Sequence, residues 1–200
     1  MRLVALSTSV HDTIVVLSAL GVAGQVIVAL FLLVGLLALV RIVLPLDGLR
    51  RLLWGYELWA GFVVAAVATG GSLFFSEIAG FFPCELCWFQ RICMYPLSIL
   101  LLLIALRGDY GASRYLLPLP LVGVGVSIYH LLVENKVVAE SQSCSLSAPG
   151  GCLTKWIDEF GYITIPTLAL TGFLLLIGFL VLASFGQSAD AATLRAHAER

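Results

Sequence analysis

Long apolar runs separated by short polar breaks dominate the chain. Five of them approach or exceed the thickness of a bilayer, at 14–44, 58–75, 88–106, 115–133 and 162–185. A spanning helix needs about 20 mostly apolar residues, because hydrocarbon offers no solvent partner to backbone N–H and C=O groups. The pattern predicts an all-α, polytopic membrane protein. A transmembrane barrel would show short alternating segments instead. The first run is longer than one bilayer, and Arg41 near its end is expected to snorkel to the interface. It also exceeds the apolar region of about 7–15 residues in a signal peptide, and no clear small-residue cleavage site follows it, so it reads as a retained helix. Pro96 and Pro166 fall within runs and predict kinks.

Composition agrees with this pattern and narrows the function. Hydrophobic residues make up 60% of the 200 positions and charged residues 12%, against about 25% charged in soluble domains. A net charge of −1 leaves no basic excess for a nucleic-acid backbone. Seven basic residues (Arg41, Arg50, Arg51, Arg107, Arg114, Arg195 and Arg200) fall on one side of the alternating spans, and four (Arg2, Arg91, Lys136 and Lys155) on the other. The positive-inside rule places the seven in the cytoplasm, which predicts N-out/C-in topology. The expected organisation is an extra amino-terminal helix over 1–50, a four-helix domain over 51–186 with outer loops 76–87 and 134–161, and a polar cytoplasmic tail over 187–200. The longer outer loop, with Ser-Gln-Ser and Ala-Pro-Gly-Gly stretches, is expected to be irregular. A short interfacial helix over 153–160 would turn Trp156 and Phe160 to lipid.

The cysteines carry the chemistry. Cys84 and Cys87 fall at the outer mouth of span 3 and Cys144 and Cys152 in the long outer loop, all on the predicted oxidising side. The first pair is C-x-x-C at a helix start, just after Pro83. Unpaired N–H groups and the positive helix end stabilise a thiolate there, and thiolate is the attacking species in disulfide exchange. Cys84, Cys87 and Arg91 are spaced i, i+3 and i+7, on one helix face. A charge at that depth is costly and is expected to serve a purpose, stabilising either the Cys87 thiolate or an anionic ligand head group. Cys93 lies on the opposite face and reads as a small buried hydrophobe. The second pair, C-x7-C, fits a static staple or a mobile relay equally, and four cysteines allow three connectivities. A four-thiolate zinc site is the competing reading, disfavoured by Arg91 and by the oxidising compartment. Glu77 reads as an interfacial carboxylate. Trp54, Trp59 and Trp88 read as interfacial anchors, with Trp88 also placed to flank a ligand ring.

Three stretches carry a resemblance: Phe75-Ser76-Glu77-Ile78, Pro83-Cys84-Glu85-Leu86-Cys87-Trp88-Phe89-Gln90-Arg91 and Met94-Tyr95-Pro96. With Ser127-Ile128-Tyr129-His130 and Phe160-Gly161-Tyr162-Ile163-Thr164-Ile165-Pro166, they resemble the disulfide bond formation protein B family, and within it the BdbC branch. The likeness spans roughly 58–182. It implies a four-helix redox core in the plasma membrane that reoxidises an extracytoplasmic thioredoxin-like dithiol oxidase (DsbA/BdbD-like) and passes the electrons to a membrane quinone of ubiquinone or menaquinone type. Such a couple keeps the bacterial periplasm oxidising kinetically, rather than through a redox buffer. Residue by residue, it implies that Cys144 forms the mixed disulfide with the partner and that Cys152 exchanges with Cys84. It further implies that Cys87 faces the quinone, that Arg91 holds the quinone carbonyl, and that Gln90 and His130 line the pocket. The amino-terminal helix lies outside the likeness. Two rivals follow from the same residues. A reductase running in the opposite direction, like vitamin K epoxide reductase, fits the Gln90-Arg91 extension poorly. A scaffold stapled by inert disulfides would bind no quinone.

Overall fold

The computed structural model of the protein describes residues 2–39 and 55–198. The main helices are α1 (Arg2–Leu39), α2 (Glu57–Leu73, continued by a π-turn over Phe74–Ile78), α3 (Glu85–Arg107), the short α4 (Ser113–Leu116), α5 (Pro118–Glu134), the loop helix α6 (Gln142–Ser147) and α7 (Ile165–Ala198). Among the described residues, five segments are long and apolar enough to span a bilayer: Ser9–Leu36, Glu57–Ile78, Glu85–Arg107, Tyr110–Glu134 and Ile165–Ser184. The described residues are all-helical and carry the five candidate membrane spans that the pattern predicts, the architecture of a multi-pass membrane protein. The first begins earlier than expected, and Arg41, Arg50, Arg51 and Trp54 lie outside the described residues. The tail beyond 187 continues α7 to Ala198.

Contacts between the helices fix their relative directions. Ser72 of α2 meets Arg91 of α3, while Gly61 faces Leu101, so α2 and α3 are antiparallel. Gln90 meets Ser127 and Cys84 meets His130, which makes α3 and α5 antiparallel. Glu134 meets Thr164 and Gly123 lies against Phe173, so α5 and α7 are antiparallel too. Gly21 packs on Leu168, Gly24 on Thr171 and Leu175, and Phe31 on Phe179, so α1 runs parallel to α7. One end of the bundle thus collects the start of α3, the ends of α2 and α5, the start of α7 and the loop 134–161.

The core lies between α2, α3, α5 and α7, where Ala65, Cys93, Leu97, Leu101, Phe173 and Leu176 are buried. Cys93 is the small buried hydrophobe its position predicts. Gly123 leaves room for the Phe173 ring, since a Cβ there would sit 2.5 Å from it. Helix α3 runs on through Pro96 and stops at Gly108, whose left-handed backbone (φ 64°) lets its N–H bond Ala105 and Ile104 carbonyls. Pro166 occupies the first turn of α7, where its missing N–H leaves no intrahelical bond unmade, rather than kinking a helix interior.

The long loop departs from expectation in two ways. It contains α6, begun by Ser141, whose hydroxyl accepts the Cys144 N–H (3.2 Å). The stretch expected as an interfacial helix is instead a 3-10 turn (Gly151–Leu153) followed by extended chain and a tight turn, pinned by the Glu159–Ile163 bridge. Trp156 is half-buried. It stacks on Phe81 (5.0 Å), which stacks in turn on Phe75 (5.7 Å), because offset aromatic contact within the protein is available to it. Phe160 is exposed.

Candidate redox site

Cys84 caps the amino end of α3. Its backbone is extended (φ −73°, ψ 172°), and its sulfur accepts the Cys87 N–H at 3.4 Å. Cys87 follows one turn later, so the two sulfurs approach to 2.7 Å, both as free thiols. His130 of α5 places Nε2 3.6 Å from Cys84 Sγ. The hydrogen bond from the Cys87 thiol, and then His130, pull the Cys84 thiol down to about 5, against the burial that opposes ionisation. A thiol of this kind is an anion at neutral pH and a good leaving group.

The second pair is covalent: Cys144 and Cys152 form a disulfide, with Cα atoms 5.6 Å apart. This connectivity was open from spacing alone. It rules out the four-thiolate zinc reading in this state, because bonded sulfurs cannot ligate. Cys84, Cys87 and His130 do present three donors within 4.8 Å of one another, a zinc-type set, but no fourth such donor joins them among the described residues.

Local chemistry closes the disulfide loop. Gly150 and Gly151 take left-handed backbones in succession (φ 84° and 63°) and turn the chain back toward α6. A Cβ on Gly151 would lie 3.0 Å from the Ser145 Cα, so only glycine fits without displacement. Glu140 accepts the Cys152 N–H through Oε2 (3.1 Å). The Ser147 hydroxyl donates to the Cys144 carbonyl (2.7 Å) and accepts the Glu85 N–H at the start of α3 (3.0 Å). It thereby locks the loop helix onto the mouth of the C-x-x-C helix. Cys84, Cys144 and Cys152 consequently share one buried cluster with Leu86 and Val133, and Cys87 packs against it.

On the other side of α3 lies an apolar cavity of about 360 Å³. Cys87, Gln90 and Arg91 line its mouth, with Phe75, Phe81 and Trp156 beside them. Arg91 is held by α2: Nε donates to the Ser72 hydroxyl (2.9 Å) and Nη2 to the Ser72 carbonyl (3.0 Å), just before the π-turn. The Tyr95 hydroxyl donates to the Ser72 hydroxyl (3.3 Å). Trp88 is exposed outside the cavity, and its ring carries the Arg91 guanidinium at 5.3 Å. Gln90 donates to the Ser127 hydroxyl (3.0 Å).

Of the three residues expected in a quinone pocket, Gln90 and Arg91 line the cavity and His130 does not. His130 faces Cys84, because it shares its side of α5 with Ser127 and Glu134, the side turned to the start of α3 and to Thr164. Glu77 is exposed, as an interfacial carboxylate is. No motif or spacing in the sequence marks Ser72, Glu140 or Ser147, and Glu134 is marked only weakly. Buried Glu134 accepts the Thr164 hydroxyl at 2.9 Å. Its spacing, i+4 from His130 at the end of an apolar helix, was the one signal available.

Comparison with known proteins fits this geometry. The family model of disulfide bond formation protein DsbB matches residues 50–197. The chain is 47% identical over 127 residues to disulfide bond formation protein C of Bacillus subtilis (strain 168), covering 62% of this chain and 90% of the relative. It is 41% identical over 131 residues to a probable disulfide formation protein of Deinococcus radiodurans, covering 62% and 86%. It is 38% identical over 136 residues to a probable disulfide formation protein of Coxiella burnetii (strain CbuK_Q154), covering 68% and 92%. No solved structure matches the chain.

Proposed function

The chain belongs to the DsbB family of disulfide bond formation proteins, thiol-disulfide oxidoreductases, and on that premise we propose that it oxidises an extracytoplasmic thioredoxin-like dithiol protein and passes the electrons to a membrane quinone. One observation carries the reading. The loop disulfide is docked against the C-x-x-C helix, whose second cysteine opens onto an apolar cavity beside a fixed cation. In this proposal residues 51–186 form the redox domain of a plasma-membrane protein, with its cysteine end outside and the basic ends of its helices inside.

The partner's thiolate attacks Cys144 Sγ, forming a mixed disulfide and expelling Cys152 as thiolate. Cys152 attacks Cys84 of an oxidised Cys84–Cys87 pair, forming Cys84–Cys152 and expelling Cys87 as thiolate. The partner's second thiol resolves the mixed disulfide and frees Cys144, which closes on Cys152 and releases Cys84. Two electrons have then moved from the partner's dithiol to Cys84 and Cys87, and the loop disulfide is restored. This end state has the sulfur connectivity of the structure.

His130 stabilises the Cys84 thiolate each time Cys84 leaves or attacks. The cavity suits a quinone: apolar walls for the ring, with the Arg91 guanidinium and the Gln90 amide near Cys87 for its oxygens. When bound, a quinone supplies an acceptor for two electrons and two protons. Cys87 is the donor that faces it, and Arg91 holds positive charge where negative charge develops.

The double variant Cys144→Ser, Cys152→Ser separates the two halves of the route. Quinone reduction driven by the reduced protein partner should fall at least about a hundredfold, while reduction driven by a small dithiol, which needs no loop disulfide to exchange with the Cys84–Cys87 pair, persists. Unchanged partner-driven turnover would make the loop disulfide a staple.

A further inference from the structure

The family match begins at residue 50, yet α1 is built into the site. Gly24 lets it approach α7 closely: a Cβ there would meet Leu175 Cδ1 at 3.0 Å and Thr171 Cγ2 at 3.1 Å. Close backbone approach at small residues is how helices associate when lipid removes the hydrophobic drive between them. Leu17 fits against Gly71 of α2, Phe31 sets its ring edge-on to Phe179 (5.5 Å), and the Tyr162 hydroxyl donates to Gln25 Oε1 (3.1 Å). Docked in this way, α1 supplies Leu17, Leu20, Ala23 and Ile27 to the wall of the cavity whose mouth holds Cys87 and Arg91. Leu17 to Ile27 spans about 15 Å of helix at 1.5 Å per residue.

That wall is apolar along its length, and the groups able to bind polar oxygens, Gln90 and Arg91, sit where it begins, level with Leu17 on Gly71 and the neighbouring Ser72. Leu20 and Ile27 of α1, with Val63 and Val67 of α2, line the cavity and are each at least 39% exposed, so it opens sideways along the α1–α2 seam. A hydrocarbon groove leading from the electron exit to the surface that faces lipid matches one class of ligand: a ring carrying a long isoprenoid chain.

We infer that α1, with α2 and α7, forms the groove for the isoprenoid tail of the quinone and so makes this protein selective for long-tailed over tailless acceptors. The inference rests on the quinone reading above.

The test uses the full chain in detergent and a benzoquinone probe whose polyprenyl tail bears a photoreactive diazirine. After irradiation, peptide mapping should place label on the segment holding Leu20, Ala23 and Ile27. Ala23→Trp, which fills the groove, should abolish that label and raise KM for a long-tailed quinone by on the order of tenfold, leaving KM for a tailless quinone within about twofold. That second value also reports an intact fold. Leu20→Ala, which adds no bulk, should weaken probe labelling with no fall in Tm. Wild-type protein that labels only α2, α3 or α7, with KM ratios unaltered by either variant, overturns the inference alone. Wild-type protein that reduces no quinone of either kind overturns the functional reading and the inference with it.

Discussion

Two sulfur atoms 2.7 Å apart at a helix start, with an imidazole on one side and a guanidinium one turn deeper, set the chemistry at the residue scale. Cys84 is the group to titrate. Its pKa is lowered to about 5 by the Cys87 thiol and His130, so in the reduced protein the thiolate absorbance in the ultraviolet should persist as pH falls from 8 and disappear only near 5. A thiol whose folded pKa lies below its unfolded value stabilises the fold above the unfolded pKa, and that contribution fades as pH falls toward 5. Cys87→Ala and His130→Ala should each move the midpoint upward, the former further. A midpoint unmoved in both variants would assign the thiolate to another cause. Cys84, Cys87 and Arg91 were legible in the sequence because spacings of three and four fix their relation on any helix. Ser72, Ser147 and Glu140 were not, because each acts across a gap of 12 to 62 residues that only the tertiary fold closes.

Among the elements, bilayer thickness made the spans readable, since no soluble alternative competes for runs of that length. The 134–161 loop was not readable: a six-residue helix and two left-handed glycines carry no periodic signal. Those glycines have a measurable role. Alanine at Gly151 adds about 1–2 kcal/mol of left-handed strain to the closed loop, relieved when reduction lets the loop relax. Gly151→Ala should therefore make the Cys144–Cys152 disulfide easier to reduce, by roughly 20–45 mV, in a glutathione titration read by thiol trapping. An unchanged potential would show that the loop holds its shape without the bond.

The whole molecule gathers both cysteine pairs, the cavity mouth and the α1-proximal wall at one end, and this follows from helix order rather than from any single motif. Alternating direction was legible from the count of spans. The packing of α1 along α7 was not, because glycine spacing in a membrane helix does not name its partner. The positive-inside reading puts that end outside. Reporter fusions should place the residue 200 terminus in the cytoplasm, and a membrane-impermeant thiol reagent should label Leu146→Cys, at an exposed position of α6, in intact cells. A cytoplasmic cysteine end would reverse the topology and remove the oxidising compartment from the account.

The central claim is that electrons entering as partner thiols leave through Cys87 to a quinone. The most direct measurement is the stoichiometry in detergent: reduced thioredoxin-fold partner, purified protein and quinone, with quinone absorbance and partner thiols followed together. The account predicts one quinone reduced per partner dithiol oxidised, and none in Cys87→Ser. Partner oxidation without quinone reduction, or full quinone reduction in Cys87→Ser, would contradict it.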